Sequence, residues 1–259
     1  MKKIWILTRK EWAEVFKNRF VLFTVAFMPI LFTILPLIIL SQAAGEISAM
    51  GDVPPEFSAY CDSSSGGECA QSFILSQFLI LFLIMPVMIP ATIASYSIVG
   101  EKTTRTLEPL LATPITTGEL LAGKALAAAI PATVATWGSY LLLLGGASIL
   151  LESAAVIAVM VKPLWLLAIF GVAPLLSIAG VSVAVMISSR VNDPRIAEQI
   201  SALVIMPIVL LMMGQAFGYV MLDQSILLWI ALALLIGDAG LLYFATQFFQ
   251  RETILTRWK

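Results

Sequence analysis

The sequence predicts an all-α protein that crosses a membrane six times, with an amphipathic helix in the membrane interface ahead of the first span. Three observations carry this. Hydrophobic residues fill 60% of the 259 positions and charged residues only 12%. That is about half the charged share of a soluble domain, and a water-soluble fold of this size could not hide so much apolar surface. The apolar residues also gather into six runs, each long enough for a bilayer span of about 20 residues. Finally, Lys and Arg fall almost entirely in alternate connections between those runs, as the positive-inside rule demands of a polytopic chain.

Residues 1–19 are too charged to span. On a helix turning about 100° per residue, Trp5, Trp12 and Phe16 share a narrow wedge and Lys3, Lys10, Glu14 and Lys17 fall opposite. Arg9 breaks the pattern, but its stem is long enough to snorkel. Such a helix lies in the interface plane. The first span, 20–40, has no charge and exceeds the usual signal-peptide core of about 7–15 residues, so it is read as retained. The further spans are 73–99, 120–151, 163–188, 200–222 and 225–249. Membrane β-strands are only about 9–11 residues long and alternate in polarity, which these runs do not. The whole chain, 1–259, reads as one integral membrane domain.

Of the 15 Lys and Arg residues, Lys162 alone falls on the far side of the membrane. Lys2, Lys3, Arg9, Lys10, Lys17 and Arg19 precede the first span, Lys102, Arg105 and Lys124 flank the second connection, Arg190 and Arg195 the fourth, and Arg251, Arg257 and Lys259 follow the last span. Both termini are therefore expected in the cytoplasm of a multi-pass plasma-membrane protein. The outer segment 41–72 holds Glu46, Asp52, Glu56, Asp62 and Glu68 but no Lys or Arg. It also holds both cysteines, Cys61 and Cys69, around a Ser/Gly-rich interval. In an oxidising compartment these are expected to form a disulfide.

The absent chemistry is informative. Without any His, His-based acid/base catalysis, Ser-His-Asp triads and His metal sites are excluded. Two Cys cannot build a structural zinc site, so no metal is expected. An intramembrane enzyme would need a buried Ser-Lys pair or paired aspartates, and neither is expected in the spans. Gly118 to Lys124 fits the spacing of a phosphate-cradling loop, but Ala125 stands where Ser or Thr should bind magnesium and no strand precedes it. Nucleotide binding by this chain is rejected, and alanine at Lys124 is expected to be much milder than aspartates at Leu107 and Leu111.

The connection 100–119 is far longer than a link between two spans requires. Its charges alternate with Leu107, Leu110 and Leu111. Thr106 is placed to cap a short helix with Pro109 near its first turn, Pro114 to stop it, and Thr116-Thr117-x-Glu119 to start the next helix. A short helix with exposed leucines suits either a groove on a cytoplasmic partner or a cap on the bundle itself. Within the spans, Pro86, Pro90, Pro131, Pro174 and Pro207 are candidate kinks, and Gly214-x-x-x-Gly218 a candidate close helix contact. Asp238 is the one acid deep in a span. A charge there is costly, so a hydrogen bond to a neighbouring helix and a proton or cation site are the two readings.

Glu101, then Thr106-Leu107-Glu108-x-Leu110-Leu111-x-Thr113-Pro114, then Gly123-Lys124, resembles the signature of type-2 ABC transporter permeases. The end, Phe248-Phe249-Gln250-Arg251-Glu252 with Leu255 beyond, is similar as well, and the likeness covers essentially the whole chain. Arg105 departs from the glycine usual before Thr-Leu-Glu, and the link between the last two spans is short. The resemblance implies a type-2 ABC exporter-like fold. It implies that residues 100–119 form a coupling helix, with Glu101, Arg105, Thr106, Leu107, Glu108, Leu110, Leu111, Thr113 and Pro114 meeting a separate cytoplasmic ABC ATPase present in two copies. That partner would carry the ATP and Mg; this chain would bind no cofactor and no nucleic acid and would be non-catalytic. A second permease chain, identical or different, would complete the pair among membrane lipids. Spans two and five would line the pathway, which here places Gln77, Met85, Met88, Met206, Met213 and Gln215 there, with Asp238 as a further candidate. Methionine makes adaptable apolar surfaces, so a hydrophobic or amphipathic exported cargo is expected. The alternatives are a membrane subunit that transmits ATPase strokes without moving cargo, and a secondary transporter using Asp238.

Overall fold

The structure is a computed structural model that describes residues 2–47, 66–104, 106, 115–151 and 153–248. All its described elements are helical, and six stretches are long and apolar enough to cross a membrane: Arg19–Gln42, Glu68–Thr103, Gly118–Leu150, Pro163–Ser188, Pro194–Ala216 and Gln224–Ala245. The fifth begins earlier and ends earlier than hydropathy placed it.

Helix α1 (Lys2–Val15) precedes α2 (Arg19–Ile47), the first span. The second span is broken. Helix α3 (Gly66–Phe82) gives way at Leu83 and Ile84 to α4 (Met85–Thr103). Pro86, at the start of α4, has no N–H to continue the ladder, and the amides of Leu83 and Ile84 turn to Ile80 and Leu81 instead, at 3.0 Å each. Helix α5 (Thr117–Leu150) opens on a capping box: Thr116 Oγ1 accepts from the Glu119 amide at 3.2 Å and Glu119 Oε2 accepts from the Thr116 amide at 2.9 Å. With 34 residues it is about 51 Å long at 1.5 Å per residue, so it extends well beyond a bilayer core of about 30 Å.

A short helix, α6 (Ala154–Val161), leads into the fourth span. That span starts as α7 (Pro163–Leu166), loosens into a π-helical stretch (Leu167–Val172), and continues as α8 (Ala173–Ser188). The widened stretch leaves the Ile169 carbonyl free to accept the Trp137 indole N–H from α5 at 2.9 Å. The fifth span comprises α9 (Pro194–Ser201), a 3₁₀ turn (Ala202–Ile205) and α10 (Met206–Ala216). Asp193 caps α9 by accepting from the Arg195 amide at 2.8 Å. Helix α11 (Gln224–Phe248) is the sixth span.

Helices α4 and α8 form the centre. Gly180 lets them meet: a Cβ there would fall 3.0 Å from the Val87 carbonyl oxygen. By contrast α2, α10 and α11 present much of their apolar surface outward, including Phe23, Phe27, Leu210, Trp229 and Leu235. The expected close contact at Gly214-x-x-x-Gly218 takes another form. Gly218 has φ +72°, its amide donates to the Gln215 carbonyl at 3.1 Å, and the Tyr219 amide donates to the Gly214 carbonyl at 2.8 Å. This pair of bonds is a helix-ending turn that needs a residue in the left-handed region, which glycine adopts without strain. The spacing therefore marks the end of α10 and not a seam between helices.

Candidate functional site

Three elements converge at the end of the bundle that bears segment 100–119. Helix α1 lays one stripe, Leu7, Thr8, Glu11 and Val15, against α4 and α5. This is not the wedge of Trp5, Trp12 and Phe16 that hydropathy singles out: Trp5 is 55% exposed and Trp12 half-buried. Specific polar contacts decide the face. Trp12 Nε1 donates to the Ala127 carbonyl at 2.8 Å and Thr8 Oγ1 to the Gly123 carbonyl at 3.1 Å. Gly123 permits this approach, since a Cβ there would lie 2.5 Å from Leu7 Cδ2.

At the centre of the junction sits Lys124, whose side chain is 1% exposed. Its ammonium meets Glu11 Oε1 of α1 at 2.9 Å, Glu101 Oε2 of α4 at 2.8 Å, and Ser97 Oγ of α4 at 2.7 Å. Ser97 in turn donates to the second oxygen of Glu11 at 2.5 Å. The second oxygen of Glu101 takes Lys10 Nζ at 2.9 Å, and Lys10 also pairs with Glu14 at 3.3 Å. Burial alone would push the Lys10 ammonium down. The hydrogen bond and charge of Glu101, helped by Glu11 and Glu14, outweigh it and hold Lys10 above its ordinary range. Beside this network a cleft of about 640 Å³ opens between α1 and α4, with Glu14, Glu101 and Thr106 on its walls.

Lys124, expected to be a mild position because it binds no phosphate, is a buried cation holding two buried carboxylates, and with Ser97 it makes a buried Ser-Lys contact that the sequence did not lead one to expect. Neither Glu11 nor Ser97 stands out in the sequence, although Gly123-Lys124 is part of the motif. Glu101, one of the residues expected to meet the ATPase, pairs with Lys10 of α1 and Lys124 of α5. Thr106 is exposed, and its amide donates to the Glu101 carbonyl at 3.0 Å. Arg105, Leu107, Glu108, Leu110, Leu111, Thr113 and Pro114 lie outside the described residues, as does Cys61. Cys69 is 3% exposed and disulfide-bonded.

The pathway candidates do not gather at one place. Met85 is fully buried in the core and Met88 half-buried, whereas Met206 and Met213 are 56% and 45% exposed on the outer face of α10. An apolar cavity of about 180 Å³ lies where the three irregular backbone stretches approach one another, bounded by Leu83, Ala168, Val172, Val204 and Pro207 and lined by no methionine. Gln215 and Asp238 are buried, and Gln215 Oε1, both polar atoms of Gln77 and both carboxyl oxygens of Asp238 meet no hydrogen-bond partner among the described residues.

No curated protein matches the chain. The family model described as ABC-2 family transporter protein matches residues 5–243, spanning α1 and all six spans; the chain belongs to that family of ABC transporter permeases.

Proposed function

We propose that this permease exports a hydrophobic or amphipathic cargo across the plasma membrane, driven by two copies of a separate cytoplasmic ABC ATPase that hold the ATP and Mg. Two permease chains, identical or different, form the pathway between them. The observation that carries this reading is the convergence of α1, the end of α4 and the start of α5 on one membrane end, the end where all Lys and Arg but Lys162 are expected. Charge bias makes that end cytoplasmic, which puts both termini there too. Segment 100–119 joins those helices and is the coupling element. Glu101 and Thr106 root it, some of Leu107, Leu110 and Leu111 insert in a groove on the ATPase, each buried leucine contributing about 1.5–3 kcal/mol, and Glu108 meets a basic group at the groove's rim or on α1, with Arg105, Thr113 and Pro114 in the same contact segment. The exposed methionines Met206 and Met213 suit the cargo-facing or chain-facing side of α10. Cys61 and Cys69 staple the outer segment.

Two measurements test this. In a cysteine-free variant of intact cells, a cysteine at Ser48 should react with a membrane-impermeant thiol reagent and one at Thr104 should not; the opposite pattern reverses the orientation. Replacing Leu107 and Leu111 together by Asp should leave insertion intact, release the ATPase on purification and abolish ATP-dependent export. A double variant that keeps its full complement of ATPase and full activity would reduce segment 100–119 to a cap on the bundle.

A further inference from the structure

We propose that Lys124 is a positioning residue whose ammonium fastens α1 to the ends of α4 and α5, so that the three travel as one body when segment 100–119 is displaced. The coupling part of this rests on the reading of that segment given above; the fastening does not.

An ammonium has three protons to donate. Two of those on Lys124 go to Glu11 Oε1 and Ser97 Oγ, at 2.9 and 2.7 Å, and Glu101 Oε2 stands 2.8 Å away as an ion pair. With a carboxylate on two sides and the side chain closed to solvent, the ammonium is not placed to meet a phosphate. The acceptors come from two elements and the donor from a third. Breaking any one joint strands a buried charge, which low-dielectric surroundings make costly. An apolar core at the same place would hold the helices together equally well but would allow them to slide. Two directed bonds and an ion pair on one nitrogen fix their register.

The location gives the fastening its use. Glu101 stands at the threshold of segment 100–119, and Lys124 lies two turns inside α5, behind the capping box at Thr116. Both roots of the segment therefore end on the same ammonium, and Glu11 brings α1 onto it. The helix is also held to α5 by Leu7 at Gly123 and by the bonds of Thr8 and Trp12 to the Gly123 and Ala127 carbonyls, whereas its polar ties to α4 run through Glu11 and Lys10. A displacement of the segment is passed to α1 through this node.

The first test needs no ATPase. Thr8 is fully buried. In a Cys61→Ser/Cys69→Ser background, a cysteine placed at Thr8 of the purified permease should react slowly with a maleimide. The charge-neutral triple variant Lys124→Met/Glu11→Gln/Glu101→Gln, which strands no carboxylate, should raise that rate at least tenfold. An unchanged rate overturns the fastening role. The second test uses a cross-link. A Cβ at Gly123 would lie 3.1 Å from Leu7 Cβ, with the clashing Leu7 carbons removed by substitution; this is a small adjustment from the usual disulfide spacing of about 3.8 Å. Leu7→Cys/Gly123→Cys is oxidised in the permease–ATPase complex in lipid nanodiscs. ATP hydrolysis should stay within twofold of the reduced form. A tenfold loss would mean that α1 leaves α5 in every cycle and would overturn the one-body proposal. Combined with the charge-neutral triple variant, whose hydrolysis should fall at least fivefold, oxidation should restore the rate; no recovery shows that Lys124 acts otherwise than by fastening. Failure of the ATPase to bind the parent permease would instead remove the coupling reading and leave the maleimide result to decide the role of Lys124.

Discussion

Among the described residues, carboxyl groups are buried in two places, which treat them in opposite ways. At the junction of α1, α4 and α5, Glu11 and Glu101 are 2% and 6% exposed, and both share the ammonium of Lys124. In α11, Asp238 is 5% exposed and its oxygens meet no hydrogen-bond partner among the described residues. The first arrangement joins three elements through bonds whose loss is expensive. The second joins nothing within the described residues. Burial alone does not mark a working charge; the partners that burial brings do. The same contrast separates the Lys124 junction, where Glu101 Oε2 has no hydrogen bond but faces the ammonium at 2.8 Å, from α10, where the Gln215 side-chain oxygen has neither.

The largest effect that could break this contrast is Lys124→Met. It leaves two buried carboxylates without their shared cation and should lower stability by about 3–5 kcal/mol, read as loss of folded protein in a thermal or denaturant titration in detergent. The triple charge-neutral variant should recover most of that loss. Equal stability of Lys124→Met and the parent would put the Lys124 junction in the same class as Asp238. A smaller effect is expected from Gly123→Val, which leaves every charge in place but drives a branched side chain into Leu7, 2.5 Å away for Cβ alone. Overpacking of this kind costs about 1–3 kcal/mol, and it separates the packing part of the junction from the ionic part. The smallest is Asp238→Asn. Since the carboxyl has no hydrogen-bond partner among the described residues, stability should shift by no more than about 1 kcal/mol, the size of one ordinary hydrogen bond. A large loss would show that Asp238 is held by a contact from residues beyond those described or from a second chain.

How far the sequence foretells these features depends on the range of the interaction. Spans are legible because hydropathy is a local sum, and the capping box at Thr116 and Glu119 because its two partners are three residues apart. Span edges are less so. The run 200–222 merges the end of α10 with the turn at Gly218 and the residues beyond, because apolar side chains continue past Gly218 while the helical backbone does not. Gly214 and Gly218 mislead for a related reason: one spacing serves both a helix seam and a helix stop, and only backbone geometry separates them. The face of α1 is hidden because amphipathicity ranks side chains by polarity, whereas here Glu11 and Thr8 point inward to partners on α5. The Lys124 junction itself is out of reach. Glu11 and Lys124 are separated by 113 positions, and nothing local to either predicts that they meet. The local pattern around Lys124 suggests instead a phosphate loop that it does not serve.

The buried ammonium constrains the history of this sequence. Lys124, Glu11, Glu101 and Ser97 meet as an inner set, in which a change at one position leaves an unmatched group at another. Lys10 and Glu14, at the solvent edge, stand outside that set: their side chains are 37% and 52% exposed, where water can replace a lost partner. Among descendants of one ancestor, the inner four should therefore be inherited together or exchanged together, while the outer two drift singly.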